Sequence, residues 1–147
     1  MSTESPVNVR RRRLYLDTSA YLCILLGEER SERLSEETAG AELLSSVLLI
    51  LEAKRNLIRL TRESVLTAEQ YKTCMERVEA DVDQFLLRDL TLDLCTSNTL
   101  PAIATPRSQD LAHLRTALSF HNPERIDRFV TMDSSQEQAA KELGLPV

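Results

Sequence analysis

Short apolar runs alternate with longer, helix-compatible segments through nearly all of this 147-residue chain. Leu14–Tyr15–Leu16 reads as a strand that stops at Asp17, and Thr18 opens a helix carrying Tyr21, Leu22, Ile24, Leu25 and Leu26 that Gly27 terminates. Ser31 to Thr38 is charged and compatible with helix, Gly40 breaks it, and Ala41 to Ser45 forms a short strand. From Ser46 a long helix runs to about Leu60. Its middle, Val47 to Leu51, is apolar on all sides and so requires burial against more than one neighbour. Thr67 to Leu87 is predicted as a further helix, with a capping-type Thr67–Ala68–Glu69–Gln70 start and a stripe at Tyr71, Met75, Val78, Val82 and Phe85. Leu90 to Leu94 alternates with period two and is predicted as a strand, followed by a connection from Cys95 to Arg107 that contains two prolines. Ser108 to Phe120 reads as helix, Arg128 to Thr131 as strand, and Ser134 to Leu143 as a last helix closed by Gly144. Parallel strands need crossover connections, so this alternation predicts an α/β fold: a single domain with a central parallel sheet of four to five strands flanked by helices.

Composition removes several functions. Three scattered glycines cannot build a phosphate-cradling loop, which needs several in one turn. A net charge of −5 argues against a wholly basic nucleic-acid binder, so contact with nucleic acid must be local or mediated by a cation. Cys23, Cys74 and Cys95 form no CxxC pair and support neither a zinc knuckle nor a disulfide framework, which points to a reducing, cytoplasmic setting. No signal-like segment or run of 18 apolar residues is present, and no membrane partner is expected. Residues 1–12, polar and then basic through Arg10, Arg11 and Arg12, are expected to be a disordered, solvated tail ahead of a domain spanning 13–147.

The acids are the chemistry-bearing residues. In open α/β sheets the functional crevice lies beyond the carboxyl ends of the strands, and Asp17 and Asp133 fall directly after apolar strands. An acid at such a junction also serves as a helix N-cap, and Asp133–Ser134–Ser135–Gln136 has capping-box spacing. Glu52 follows the apolar run Val47 to Leu51, where an ionised carboxylate needs compensation, whether from Arg55 three residues on, from a face turned to solvent, or from a site. Asp110 sits in the first turn of a helix, a position its dipole favours on its own account. His113 and His121 read as core or surface residues rather than metal ligands, and Asp81, Asp83, Asp89 and Asp93 as solvating ones.

Four blocks, in order, carry a family resemblance. Leu14–Tyr15–Leu16–Asp17–Thr18–Ser19–Ala20 resembles the opening signature of the PIN-domain nucleases, most closely the VapC-type toxins. Ser46 and, six residues on, Glu52 in SSVLLILEAKRNL resemble the second block. Asp110 to Leu118 is similar to the third, and Phe129 to Asp133 followed by AAKELGLPV to the fourth. Gln136 stands where the family often has a large apolar residue. The resemblance implies a metal-dependent endoribonuclease acting on RNA, restrained by a cognate antitoxin, with a cleft where Asp17, Glu52, Asp110 and Asp133 meet.

If those four carboxylates converge, two of them about 5 Å apart repel by roughly 3 kcal/mol at an effective dielectric of 20. Either some protonate or a divalent cation binds among them, and hard oxygen donors favour Mg²⁺ or Mn²⁺. Asp17, Glu52 and Asp110 are the expected ligands, directly or through water, with Asp133 at a second or water-mediated position. Ser19 and Thr131 are expected to hydrogen-bond a ligand or water, although hydroxyls beside strand ends also act as caps. Apolar surface at Leu22 to Leu26 and Leu43 to Leu60 suggests a homodimer or a docked antitoxin segment. The main alternative is a catalytically degenerate PIN domain that binds RNA or protein without cutting. A receiver-type aspartate phosphotransfer domain fits less well, because the only late lysine, Lys141, lies inside a helix.

Overall fold

Strand β1 (Arg13–Leu16) is buried at every position, as expected of a central strand in a parallel sheet covered on both faces. A computed structural model describes residues 10–97, 102–103 and 107–147. After β1 come α1 (Thr18–Leu26), α2 (Ser31–Thr38), β2 (Glu42–Ser46), α3 (Leu48–Arg62), α4 (Ala68–Val82), β3 (Phe85–Arg88), α5 (Leu92–Thr96), α6 (Ser108–His121), β4 (Arg128–Val130) and α7 (Ser134–Glu142). The four strands form one parallel sheet in the order β3-β2-β1-β4. The chain therefore builds outward from β1 on one side through β2 and β3, and later returns to its other side with β4. The turning point of the topology lies at the end of β1, where Asp17 stands.

One element departs from the sequence reading. The helix predicted to reach Leu87 stops at Val82, and the third strand is Phe85–Arg88 rather than Leu90–Leu94. Asp83 and Gln84 make the turn, with the Gln84 N–H donating to the Asp81 carbonyl, after which Phe85 to Arg88 pair with Leu43 to Ser46. Phe85 sustains the helical stripe in the sequence because it packs on the same core, but from a strand. The Leu90 to Leu94 alternation misleads for a different reason: Leu90 and Leu92 face solvent, only Leu94 is buried, and Thr91 precedes a short helix.

The core is mostly aliphatic. One side gathers Tyr21, Leu25, Leu49, Ala53, Leu57 and Val78 where α1, α3 and α4 meet. The other packs Tyr15, Leu114, Phe129, Ala140 and their neighbours beneath α6 and α7. Tyr15 stacks on Phe129 across the β1–β4 pair, with ring centroids 5.4 Å apart and planes within 6°.

The arginine run is structural at its inner end. Arg13 is buried in β1; its guanidinium donates to the Glu124 and Arg125 carbonyls and lies 3.4 Å from the Glu42 carboxylate. Arg10 donates to the Arg125 carbonyl, and Arg11 to those of Gly40 and Ala41. These bonds brace the loops at the amino ends of the strands, so Arg10 and Arg11 are not a solvated tail. The rest of the expected tail, residues 1–9, and most of the predicted 95–107 connection beyond Ser97 lie outside the described residues. Among the described residues, no helix is long and apolar enough to cross a membrane.

Candidate functional site

Four elements deliver the acids singled out by sequence to the carboxyl end of the sheet. Asp17 ends β1 and caps α1, Glu52 lies in the second turn of α3 after β2, Asp110 is in the first turn of α6, and Asp133 follows β4 and caps α7.

Asp17 is the buried centre. Its Oδ1 accepts from the Ser19 hydroxyl at 2.6 Å and the Ala20 N–H at 3.1 Å, and its Oδ2 accepts from the Thr131 hydroxyl. Ser19 also receives the Met132 N–H at 2.9 Å and lies 3.2 Å from Thr131, tying the β1 and β4 exits together. Burial pushes the Asp17 carboxyl above its ordinary range, while the Ser19 and Thr131 hydroxyls and the neighbouring His113 oppose the shift. Ser19 and Thr131, the hydroxyls expected to hydrogen-bond a ligand or water, both donate to the Asp17 carboxyl.

Asp110 carries the electrostatic signature of the cluster. Its pKa is raised first by burial and then by the negative charges of Asp133 and Asp17; Arg107 pulls it down, and Glu52 adds a smaller upward push. All four acids therefore share one field. Among the described residues the Asp110 carboxyl receives no hydrogen bond, so Arg107 is the charge that offsets the repulsion. The Gln136 amide donates to the Asp110 backbone carbonyl at 2.8 Å, fastening α7 to the first turn of α6 and setting how far apart Asp110 and Asp133 stand.

Asp133 fills the role of a helix cap as well: its Oδ1 accepts the N–H groups of Ser135 and Gln136 at 2.8 and 3.3 Å. Glu52 is held rather than free. Its Oε1 receives the Thr18 hydroxyl at 3.1 Å and lies 2.9 Å from the Nε2 of His113, which is almost wholly buried. Arg55, the compensating partner considered in the sequence, is not the one used; among the described residues the contacts to this carboxylate come from α1 and α6. His113 is a core histidine, as its sequence context suggested, but it touches a site residue through a contact that α6 alone does not reveal. Asp81 is likewise more than a solvating acid, since it accepts the Tyr21 hydroxyl at 2.6 Å.

The donor chemistry suits a hard divalent cation: all four side chains offer carboxylate oxygen, and Glu52 Oε2 and Asp133 Oδ2 take no hydrogen bond among the described residues. Among the described residues no group of three or more His, Cys, Asp or Glu side chains is gathered tightly enough to grip an ion as it stands. Next to the Thr131 and Met132 exit, a groove of about 590 Å³ is lined by Arg30, Arg33 and Arg128, with Glu37 paired to Arg128. Set against known proteins, the chain matches no family model and no curated sequence.

Proposed function

We propose that this chain is a metal-dependent endoribonuclease that hydrolyses RNA phosphodiesters, a PIN-domain protein of the VapC-toxin kind. The observation that supports this reading most directly is the placement of Asp17, Glu52, Asp110 and Asp133 at the topological turning point of a parallel sheet, where burial and then the charges of Asp133, Asp17 and Glu52 raise the pKa of the Asp110 carboxyl. Asp17, Glu52 and Asp110 would hold Mg²⁺ or Mn²⁺, with Asp133 at a second or water-mediated position. When bound, such an ion supplies Lewis-acid charge for in-line displacement at a phosphodiester. The protein's own part is positional. Ser19 and Thr131 fix the Asp17 carboxylate, and the Thr18 hydroxyl and His113 fix Glu52. Arg30 and Arg33, beside the β4 exit, offer positive charge to the RNA backbone, which lets an acidic chain approach a polyanion. Leu51 and Ile58, two turns apart on the outer face of α3, are exposed and would dock a cognate antitoxin or a second copy of the chain.

The deciding assay incubates the purified protein with total RNA, with and without EDTA and excess Mg²⁺, and maps new ends. Cleavage that requires the metal and disappears in Asp17→Ala and Asp17→Asn, with the far-UV circular dichroism unchanged, supports the reading; cleavage that survives either substitution removes it. A second reading, a degenerate PIN domain that binds RNA or protein without cutting, is favoured by two observations: among the described residues no three such side chains are placed to hold an ion, and Asp133 serves as a helix cap. It predicts RNA retention on a filter with no new ends at any metal concentration.

A further inference from the structure

Two polar side chains run in single file from the middle of the sheet to Glu52. Tyr15 on β1 and His113 on α6 are almost completely excluded from solvent, and the Tyr15 hydroxyl lies 2.8 Å from His113 Nδ1. On the far side of the ring, Nε2 lies 2.9 Å from Glu52 Oε1 and 3.1 Å from the Thr18 hydroxyl. Polar groups at such depth are costly unless paired, and apolar residues would fill the same space more cheaply. An ionised carboxylate only accepts hydrogen bonds, so Nε2 must carry the proton. In the neutral ring that leaves Nδ1 as an acceptor, and the Tyr15 hydroxyl must be its donor. The Tyr15 ring cannot swing away, because it is stacked on Phe129 and meets the imidazole edge-on at 5.9 Å and 76°.

We infer that Tyr15 and His113 are positioning residues for Glu52: Tyr15 sets the imidazole tautomer, and the resulting Nε2–H, with the Thr18 hydroxyl, anchors Oε1 and leaves Oε2 free for the acid cluster. The hydrogen-bond chain stands by itself; what the free oxygen then binds rests on the nuclease reading. Because His113 and Asp110 are three residues apart on α6, one helix sets both the Asp110 carboxyl and the anchor of Glu52.

Two measurements on the full chain separate these layers. The first is nitrogen NMR of ¹⁵N-histidine-labelled protein in metal-free buffer. The expected result is the Nε2–H tautomer for His113, with a mixture containing Nδ1–H in Tyr15→Phe. A native His113 in the Nδ1–H form or as imidazolium overturns the inference, as does an unchanged tautomer in Tyr15→Phe. The second is Mn²⁺ titration by calorimetry, with thermal melts to verify folding. Outer-shell partners of metal ligands are typically worth 10- to 100-fold in affinity, so His113→Leu should weaken Mn²⁺ binding by about that factor. His113→Gln, whose amide nitrogen reaches the position of Nε2, should recover most of it, and Tyr15→Phe should lose roughly threefold to tenfold. Equal Mn²⁺ affinity in the native, His113→Leu and Tyr15→Phe proteins overturns the positioning role. Should His113→Leu fail to fold, Tyr15→Phe and His113→Gln decide the matter. If the native chain binds no Mn²⁺, it is the nuclease reading that fails, and the tautomer experiment alone decides the hydrogen-bond chain.

Discussion

Asp110 stands partly buried among like charges, and its behaviour with pH follows. Its folded pKa is raised, as is that of Asp17, so the native state holds these protons more tightly than the unfolded chain. Stability from this source is complete below the ordinary carboxylate pKa and is lost as pH rises through the raised values. In metal-free buffer, thermal melts should therefore show this contribution fall as pH rises above about 4, and Asp110→Asn should flatten the profile. Because Asp110 is only partly buried, its repulsion is screened. At pH 7 the Asp110→Asn variant should melt higher by roughly 2–4 °C, the shift that about 1 kcal/mol produces in a domain of this size. Gln136 gives a second residue-scale test. One end of its buried amide holds the Asp110 carbonyl, and the other finds no partner among the described residues. Gln136→Leu should change overall stability by less than about 1 kcal/mol, because a lost bond and a relieved orphan oppose each other. Mn²⁺ affinity should nonetheless fall as the Asp110–Asp133 spacing loosens, a pair of outcomes that melting and calorimetry report separately. Asp17 and Asp133 were legible in the sequence because a strand end places them. The grip of Ser19 and Thr131 on Asp17 was half legible, and that of His113 on Glu52 was not, since it joins α3 to a helix sixty residues away whose local pattern says only that the ring is inside.

Helices and strands were read with uneven success for a physical reason. Where a turn is written in glycine or a cap, as at Gly27 after α1 or Thr67 before α4, the boundary in the sequence is the boundary in the fold. Where an element ends because its neighbour needs a strand, local pattern is silent. Phe85 to Arg88 become β3 by pairing with β2, and no residue before them forbids another helical turn. The capping box of α4 is complete, with the Thr67 hydroxyl accepting the Gln70 N–H at 3.1 Å and the Gln70 amide oxygen accepting the Thr67 N–H at 2.9 Å. Thr67→Ala should destabilise the protein by about 1 kcal/mol, whereas Thr67→Ser should cost a few tenths at most, both readable as denaturation midpoints. Val78 lies in the apolar seam where α1, α3 and α4 meet, with no accessible surface, and Val78→Ala there should cost about 1–3 kcal/mol through the cavity it leaves.

At the scale of the whole molecule, a cation that binds the folded chain and not the unfolded one raises the melting point by mass action. At a hundredfold excess over the dissociation constant the gain is about 2.7 kcal/mol, or roughly 5–11 °C, and EDTA should reverse it. Asp17→Asn should show little of that gain, because one of the expected ligands is then a neutral amide. A flat response of the native chain to both Mg²⁺ and Mn²⁺ would leave the noncutting reading in place.

The buried Arg13, clasping Glu42 and the carbonyls of Glu124 and Arg125, sits at the opposite pole of the sheet from Asp17. One rim of the domain is therefore a keystone and the other a workshop. Random substitutions should sort accordingly: changes around Arg13, Glu42 and Asp127, whose carboxylate accepts the Arg13 N–H, lower how much protein accumulates in a cell, while changes around Asp17, Glu52 and Asp110 leave abundance intact or even improve it and silence whatever the protein does. A survey that scores yield and activity side by side would draw the two rims as two separate maps.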